Sequence, residues 1–168
     1  MDNADVVVIG GGPAGCSSAI SLSRLGYNVV LCDQAKFPRD KVCGEFISPA
    51  ADPILDRLGI LSRIEMLTPK RLKGVSISSY EGKEFSIDYP LQPRLAERPT
   101  SLSVSRYELD SLFIEEAKRV GVDVREQCKV TEFLFEEDCV IGTRGWDENK
   151  TSFSIHAPLV IDAGGRNS

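Results

Sequence analysis

A glycine motif that directly follows a short apolar run constrains the fold of this chain most. The motif is Gly10-x-Gly12-x-x-Gly15, and the run before it covers residues 6–9. A continuous apolar run of this length is typical of a parallel strand that is buried on both faces. Residues 14–25 follow the motif with apolar side chains at helical spacing, so the sequence predicts a strand, a tight loop and a helix in succession.

The predicted helix leads into a second strand. Gly26 is a typical residue just past a helix end, and the apolar stripe before it comprises Ala19, Ile20, Leu22 and Leu25. Residues 29–32 form another apolar run, which ends at Asp33. A strand, a helix and a strand within about thirty residues make a βαβ unit. We therefore predict an α/β fold that starts with a Rossmann-like parallel sheet.

The motif and the acid after the second strand point to a dinucleotide. Gly10 permits a tight turn, Gly12 allows close backbone approach to a pyrophosphate, and Gly15 allows the helix to pack against the strand. Asp33 follows at about the 20-residue separation at which a carboxylate accepts hydrogen bonds from a ribose diol. Since a carboxylate there disfavours a 2′-phosphate, FAD or NAD is expected rather than NADP. The alternatives to a dinucleotide site are that the glycine motif is only a glycine-rich turn and that Asp33 is a solvated acid at a strand end.

The middle of the chain changes pattern. Ser48 and Pro49 form a cap and first-turn pair for a helix that extends to residue 58. Apolar and polar residues then alternate in 75–77 and in 85–89, with a turn signal between them, which predicts an antiparallel hairpin. An irregular connection without helix or central strand follows, marked by Pro90, Pro93 and Pro99.

The last third returns to helix and strand. Residues 106–120 carry a helical stripe, namely Leu109, Leu112, Phe113, Ala117 and Val120. A short strand is predicted at 122–124 and another at 159–161. Between them we predict an antiparallel meander with strands at 130–135, 139–143 and 152–156.

Composition excludes several classes of function. Twenty Lys and Arg against 25 Asp and Glu give a net charge of −5, so no basic field is present for nucleic acid. Five cysteines without a CxxC pair, and a single histidine, fit neither a disulfide framework nor a metal site, and indicate a reducing cytoplasmic setting. The longest uncharged stretch, residues 6–23, contains four glycines and follows an acidic flank, so we predict no transmembrane or targeting segment.

The motifs together resemble the geranylgeranyl reductase family of FAD-dependent oxidoreductases. That family belongs to a larger group with the aromatic hydroxylases of the p-hydroxybenzoate hydroxylase type and the flavin-dependent halogenases. The resemblance covers nearly the whole chain through residues 5–16, residues 37–45, Ser48-Pro49, the segment Val104-x-Arg106-x-x-Leu109-Asp110, and residues 160–168.

The resemblance implies roles for individual residues. The glycine loop, including Pro13 and Ala14, and Asp33 would hold the ADP half of FAD. Arg39 and Lys41 would lie near the ribose and pyrophosphate, and Arg106 would approach the same phosphates. Without the resemblance, Arg106 reads as an ordinary surface arginine. Adenine would contact the backbone of Val130, and Gly165 in the closing motif would also line the cofactor site.

Cys43 and Gly44 would sit at the flavin end of the site. Gly44 would allow close backbone approach. Cys43 is the one candidate catalytic residue, as a thiol beside the isoalloxazine. The alternative is that Cys43 is a small, buried, soft hydrophobe, as free cysteines usually are.

The implied activity is reduction of carbon–carbon double bonds of an isoprenoid or prenyl-type substrate through reduced flavin. NADH or NADPH would serve as electron donor, and a lipid-like substrate is compatible with peripheral membrane contact. The triplet Ala163-Gly164-Gly165 departs from the Ala-Asp-Gly of aromatic hydroxylases, which favours the reductase and halogenase branches. Two alternatives stay open, a monooxygenase or halogenase acting on an aromatic or quinone-like compound, and a non-catalytic FAD-binding fragment. The oligomeric state has no signal in the sequence.

The predicted domain organisation is discontinuous. Residues 1–70 and 101–168 would form an incomplete FAD-binding domain with the inserted meander. The resemblance implies that residues 71–100 begin a β-rich substrate domain. The predicted hairpin lacks a partner sheet of its own, and two strands alone are marginally stable. We therefore expect the working enzyme to be roughly twice as long or more, as a second packed domain requires.

Overall fold

A computed structural model describes residues 2–90 and 99–165 of the chain. They divide into two compact units, Met1–Asp40 with Tyr107–Ser168, and Lys41–Arg106. The connection predicted around Pro93 and the last residues of the closing motif, Arg166 to Ser168, lie outside the described residues. The assignment of 71–100 to a substrate domain stays a prediction.

The described residues form short strands and four α-helices. The strands are β1 (Asp2–Asn3), β2 (Val6–Ile9), β3 (Val29–Cys32), β4 (Phe46–Ile47), β5 (Lys70–Leu72), β6 (Gly74–Ser78), β7 (Glu84–Asp88), β8 (Ser101–Ser103), β9 (Asp123–Arg125), β10 (Lys129–Glu136), β11 (Cys139–Trp146), β12 (Ser152–His156) and β13 (Leu159–Asp162). The helices are α1 (Pro13–Arg24), α2 (Asp52–Arg57), α3 (Leu61–Met66) and α4 (Arg106–Arg119).

The first unit contains the predicted parallel sheet. Its strand order is β13-β2-β3-β9, and every neighbouring pair is parallel. The central strands β2 and β3 are almost entirely buried, which explains their unbroken apolar sequence. The α/β fold class with a βαβ start is confirmed.

Helix α1 packs on this sheet through its first two turns. Its buried residues are Gly15, Cys16, Ala19 and Ile20. The inclusion of Leu25 in the apolar stripe was wrong, since Leu25 follows the last helical residue and is 74% exposed.

Helix α4 has the predicted extent, but its buried face differs from the predicted stripe. The stripe omitted Ile114 and two acidic residues, Asp110 and Glu116, which are all buried. The carboxylate of Glu116 accepts hydrogen bonds from Arg24 and Arg119, each at 2.7 Å. An ion pair of this kind offsets part of the cost of burying the acid on an otherwise apolar helix face.

The antiparallel meander forms the second sheet of the first unit. Strands β10, β11 and β12 pair in sequence as predicted, and β1 adds to β12 in parallel. Ile155 and Ala157 at the end of the meander pack in one core cluster with Val7 and Val30 of the parallel sheet. The two sheets of this unit therefore share a core.

The second unit contains two small antiparallel sheets. One has the order β4-β8-β5, and the other is the predicted hairpin of β6 and β7. Cross-strand pairs Val75 with Ile87 and Ile77 with Phe85 place four apolar side chains on one face of that hairpin, and all four are at least half exposed.

The helix predicted from residue 48 to 58 is divided. The Ser48 hydroxyl accepts from the Ala50 N–H and begins a 3-10 turn, Pro49–Ala51, which α2 continues to Arg57. Helix α3 follows after Gly59, and the sequence pattern did not predict it. No helix in the described ranges meets the length and apolar character that a bilayer crossing requires.

Candidate dinucleotide site

The glycine loop begins with a backbone conformation that favours glycine. Gly10 has φ +98°, and its N–H donates to the carbonyl of Cys32 at 2.8 Å. A Cβ at Gly10 would lie 2.5 Å from the carbonyl oxygen of Ala163. The loop is therefore packed directly against the residues that follow β13, and a side chain at this position has no room.

The start of α1 leaves an electropositive helix end beside the loop. Gly12 is the N-cap residue, no side chain among residues 2–90 and 99–165 caps the helix, and no acidic residue lies in its first turn. A Cβ at Gly15 would lie 1.9 Å from the carbonyl oxygen of Gly10, so the helix approaches the loop as closely as glycine permits. Uncapped N–H groups at the positive end of a helix dipole suit an anion such as a phosphate.

Asp33 is fixed next to this loop at the end of β3. Its Oδ2 accepts from the Gly11 N–H at 2.6 Å, and its Oδ1 accepts from the Ala35 N–H at 2.7 Å. The side chain is nearly buried, with 8% exposure for the residue. Each carboxylate oxygen has a second acceptor site, so the arrangement can accept a hydroxyl donor beside the loop.

Arg39 reaches the same place from the segment after β3. Its guanidinium lies over the Phe37 ring at 4.9 Å from the ring centre. Nη1 is 3.2 Å from Oδ2 of Asp110, and Nη2 is 3.9 Å from Oδ2 of Asp33. Two acids and one cation therefore meet beside the glycine loop.

Asp110 is the last residue of the segment Val104-x-Arg106-x-x-Leu109-Asp110, and the sequence predicted no role for it. It is fully buried on α4, on the helix face that also buries Phe113 and Ala117. Asp110 shares its face with apolar residues three and seven positions later. An acid at such a position is a signal of a buried ion pair, and the prediction from sequence did not use it.

Cys16 belongs to the same cluster. Its thiol donates to the Gly11 carbonyl at 3.3 Å. Burial raises the pKa of Cys16 to about 12, and the charges of Asp110 and Asp33 add to the effect. Cys16 is therefore a protonated packing residue at neutral pH rather than a nucleophile.

Two more predicted site residues belong to the first unit. Val130 lies on its antiparallel sheet, and Gly165 follows the last strand of its parallel sheet. Val130, half-buried on β10, packs against the core cluster that contains Cys32 and Cys128. Gly165 is exposed and has φ +92°. Asp162 is turned onto its own backbone, since its Oδ1 accepts from the Gly164 N–H at 2.9 Å.

The other predicted residues, Lys41, Cys43, Gly44 and Arg106, lie in the second unit. Lys41 and Gly44 are exposed, and a Cβ at Gly44 would meet nothing within 4 Å. The pKa of Cys43 is lowered because the Glu45 N–H and the Arg106 guanidinium hydrogen-bond its sulfur. The alternative that Cys43 is a buried hydrophobe is wrong, because the residue is exposed.

Comparison with known proteins gives the family of the chain. Residues 3–168 match the family described as FAD binding domain. A menaquinone reductase of Mycolicibacterium smegmatis is 34% identical over 165 residues, which cover 98% of this chain and 38% of that protein. A tryptophan 2-halogenase of Chondromyces crocatus is 30% identical over 163 residues, which cover 96% of this chain and 30% of that protein.

A solved structure resembles the whole chain. The myxobacterial chondrochloren halogenase, an FAD-dependent halogenase, superposes with a TM-score of 0.90 at 27% identity, over 100% of this chain and 38% of that chain. The chain spans about a third of the length of these curated relatives. By the match over nearly all its residues, the chain belongs to the FAD binding domain family, and FAD is its cofactor.

Proposed function

We propose that the first unit binds the ADP half of FAD at the glycine loop. The observation that carries this proposal is the Asp33 carboxylate, held by the Gly11 N–H beside the uncapped start of α1. The helix end suits the pyrophosphate, and the carboxylate suits the adenosine ribose. The proposed contacts in this unit are Gly10, Gly12, Pro13, Ala14, Gly15, Asp33, Arg39, Val130 and Gly165.

Residues of the second unit are proposed as further cofactor contacts on the strength of the sequence resemblance. Lys41 and Arg106 supply cations for the phosphates, and Gly44 supplies close backbone approach at the flavin end. Cys43 is the candidate catalytic residue there. The residue is exposed and its pKa is lowered, and both observations support a reactive thiol beside the isoalloxazine.

Bound FAD supplies the hydride or oxygen chemistry, and the protein supplies binding, orientation and electrostatics. The chain's own residues do three things in this scheme. The loop backbone and the start of α1 hold the diphosphate, Asp33 holds the ribose hydroxyls, and Arg39 offsets phosphate charge.

The leading activity is that of an FAD-dependent oxidoreductase that reduces double bonds of an isoprenoid or prenyl-type substrate. The kinship with a menaquinone reductase supports a reductase. A nicotinamide dinucleotide would deliver the electrons. The substrate would be a small lipid-like molecule, which is compatible with peripheral contact with a membrane.

A second candidate is an FAD-dependent halogenase or monooxygenase acting on an aromatic or quinone-like compound. The structural similarity to the chondrochloren halogenase and the kinship with a tryptophan 2-halogenase favour this candidate. The chain's own geometry at the ADP half serves both activities equally.

Flavin binding tests the cofactor site. The purified protein is expected to show flavin absorbance that survives gel filtration, and Gly12→Val is expected to abolish it because a side chain there blocks the pyrophosphate. Ser78→Val on the exposed strand β6 is the matched control and keeps the flavin. Absence of flavin from the wild type, or its retention by Gly12→Val, would contradict the proposed site.

Product analysis separates the two activities. The reduced holoprotein is incubated with a polyprenyl compound without oxygen, and with an aromatic compound, halide and oxygen. Saturation of a prenyl double bond supports the reductase. Halogenation or hydroxylation of the aromatic compound supports the second candidate instead. A holoprotein that is reduced by a nicotinamide donor but yields neither product contradicts both activities.

A further inference from the structure

Asp110 carries a buried negative charge that the proposed cofactor contacts do not explain. It is fully buried on α4, where the neighbouring buried residues Phe113 and Ala117 are apolar. A carboxylate removed from water in this way is costly unless a cation and hydrogen bonds compensate it. An uncharged residue at this position would therefore be buried at a lower cost in free energy.

Arg39 supplies a compensating cation. Its Nη1 lies 3.2 Å from Oδ2 of Asp110, while its Nη2 lies 3.9 Å from Oδ2 of Asp33. The Arg39 side chain is 16% exposed and lies over the face of Phe37. Within residues 2–90 and 99–165, Nη1 is buried and makes no aligned hydrogen bond. The guanidinium is thus held by charge and stacking with donors that its neighbours do not fully use.

Contacts at Gly11 connect this group to the glycine loop. A Cβ on Gly11 would lie 3.1 Å from the Phe37 ring and 3.3 Å from the Asp33 Cβ. The ring that supports Arg39 therefore touches the loop itself. The raised pKa of Cys16, which hydrogen-bonds the Gly11 carbonyl, is also caused partly by the Asp110 and Asp33 charges.

We propose that Asp110 is a positioning residue for phosphate recognition, which holds the Arg39 guanidinium beside the glycine loop. The inference rests on the proposed binding of the ADP half of FAD. Arg39 has a long side chain with considerable rotamer entropy, and Asp33 alone would draw it onto the ribose side. With Asp110 on the other side, the guanidinium stays between the two acids beside the glycine loop.

Binding of ADP and of adenosine to flavin-free protein tests the inference by calorimetry. The wild type is expected to prefer ADP, because only ADP carries the diphosphate. Asp110→Asn is expected to lower ADP affinity about tenfold, the effect of losing one charge-assisted hydrogen bond from Arg39 to the diphosphate, and to leave adenosine affinity nearly unchanged. Arg39→Gln is expected to have the same effect, and adding Asp110→Asn to it is expected to weaken ADP binding no further.

Glu116→Gln is the matched control. Glu116 is a buried acid on the same helix that is paired with Arg24 and Arg119 away from the loop. This variant is expected to lose stability and to keep the preference for ADP. A purely structural role of Asp110 would make the two variants behave alike.

The outcomes separate the inference from the function on which it rests. Wild-type protein without a preference for ADP would overturn both the proposed phosphate site and the inference. A wild type that prefers ADP, with an Asp110→Asn variant whose preference is as large as that of the wild type, would overturn the inference alone, as would additive effects in the double variant. If a single variant leaves a buried charge and does not fold, the double variant decides, because it removes both charges. A preference for ADP there that is as large as that of the wild type also overturns the inference.

Discussion

The contact between the glycine loop and the end of β13 allows a matched pair of substitutions. Gly10 and Gly26 have similar positive φ values, +98° and +91°. A Cβ at Gly10 would lie 2.5 Å from the Ala163 carbonyl oxygen, whereas a Cβ at Gly26 would meet no atom of the described residues within 4 Å. Alanine at either position therefore introduces the same backbone strain, and only Gly10→Ala adds a steric clash.

The expected magnitudes follow from these two contributions. Left-handed backbone costs an alanine about 1–2 kcal/mol, and this is the whole expected effect of Gly26→Ala. At Gly10 the Ala163 carbonyl must also move by about 0.5 Å to reach the 3.0 Å limit of real Cβ contacts. That carbonyl cannot move freely, since the Ala163 N–H donates to the Ile9 carbonyl at 2.8 Å. Overpacking adds about 1–3 kcal/mol, so Gly10→Ala should cost about 2–5 kcal/mol in total.

Urea unfolding at pH 7 measures the difference. Trp146 is the single tryptophan of the chain and lies on β11 of the first unit, so its fluorescence reports that unit. Far-UV circular dichroism provides an independent signal for the same transition. If Gly10→Ala lowers the unfolding free energy no more than Gly26→Ala does, the loop is not clamped against Ala163 and the steric reasoning is refuted.

Three further predictions concern the first unit and the exposed thiol. Arg119 hydrogen-bonds Glu116 and lowers its pKa below the ordinary 4.5, so this stabilisation is present above pH 4.5 and is lost as the pH falls through the folded-state pKa. Glu116→Gln should therefore cost about 1–3 kcal/mol at pH 7 and flatten the decline of the unfolding free energy below about pH 5; an unchanged pH profile would contradict the pairing. Iodoacetamide should label Cys43 well before Cys16, as peptide mass spectrometry can follow, because one thiol is exposed with a lowered pKa and the other is buried with a pKa raised to about 12. Gly15→Ala should push α1 from the loop and lower FAD affinity at least tenfold in a fluorescence titration, since the new Cβ would start 1.9 Å from a loop carbonyl oxygen; unaltered affinity would remove the helix start from the site.

Local patterns were sufficient to predict the elements around the glycine loop. Residues 6–9 and 29–32 read as buried strands because both faces of β2 and β3 are covered, so no polar alternation interrupts them. Asp33 was predicted from its position at the end of the second strand, about 20 residues after the glycine loop. It lies beside the loop because the carboxyl ends of the adjacent parallel strands β2 and β3 meet at one sheet edge. The hairpin of β6 and β7 was predicted because its alternating residues leave one face apolar.

The short strands could not be predicted in the same way. β4, β5 and β8 contain only two or three residues each, which is too few to show a period of two. Their pairing joins segments far apart in the chain, as when Phe46 lies opposite Ser103. Such strands exist because tertiary contacts supply the hydrogen-bond partners, and a local pattern carries no record of those partners.

The buried charges were missed for a related reason. The helical stripe was predicted from apolar side chains alone, so it did not include Asp110 and Glu116. Both are buried because cations from elsewhere in the chain, Arg39 and Arg24, neutralise them. The pairing cations come from distant segments of the chain, so the partner of each acid is identified only when the fold has brought the two segments together.

The parallel pairing of β13 with β2 has a consequence for the biogenesis of the site. Val6 pairs with Leu159, about 150 positions later in the chain, and the Ala163 carbonyl supports Gly10 from the same side. A nascent chain therefore carries the complete glycine fingerprint long before the ribosome has made the strand on which the loop rests. Contacts over this sequence distance form slowly, so the cofactor pocket should mature as one of the last events of folding. A gene fragment that stops before β13 would encode the glycine motif without the strand and the Ala163 carbonyl that pack against it.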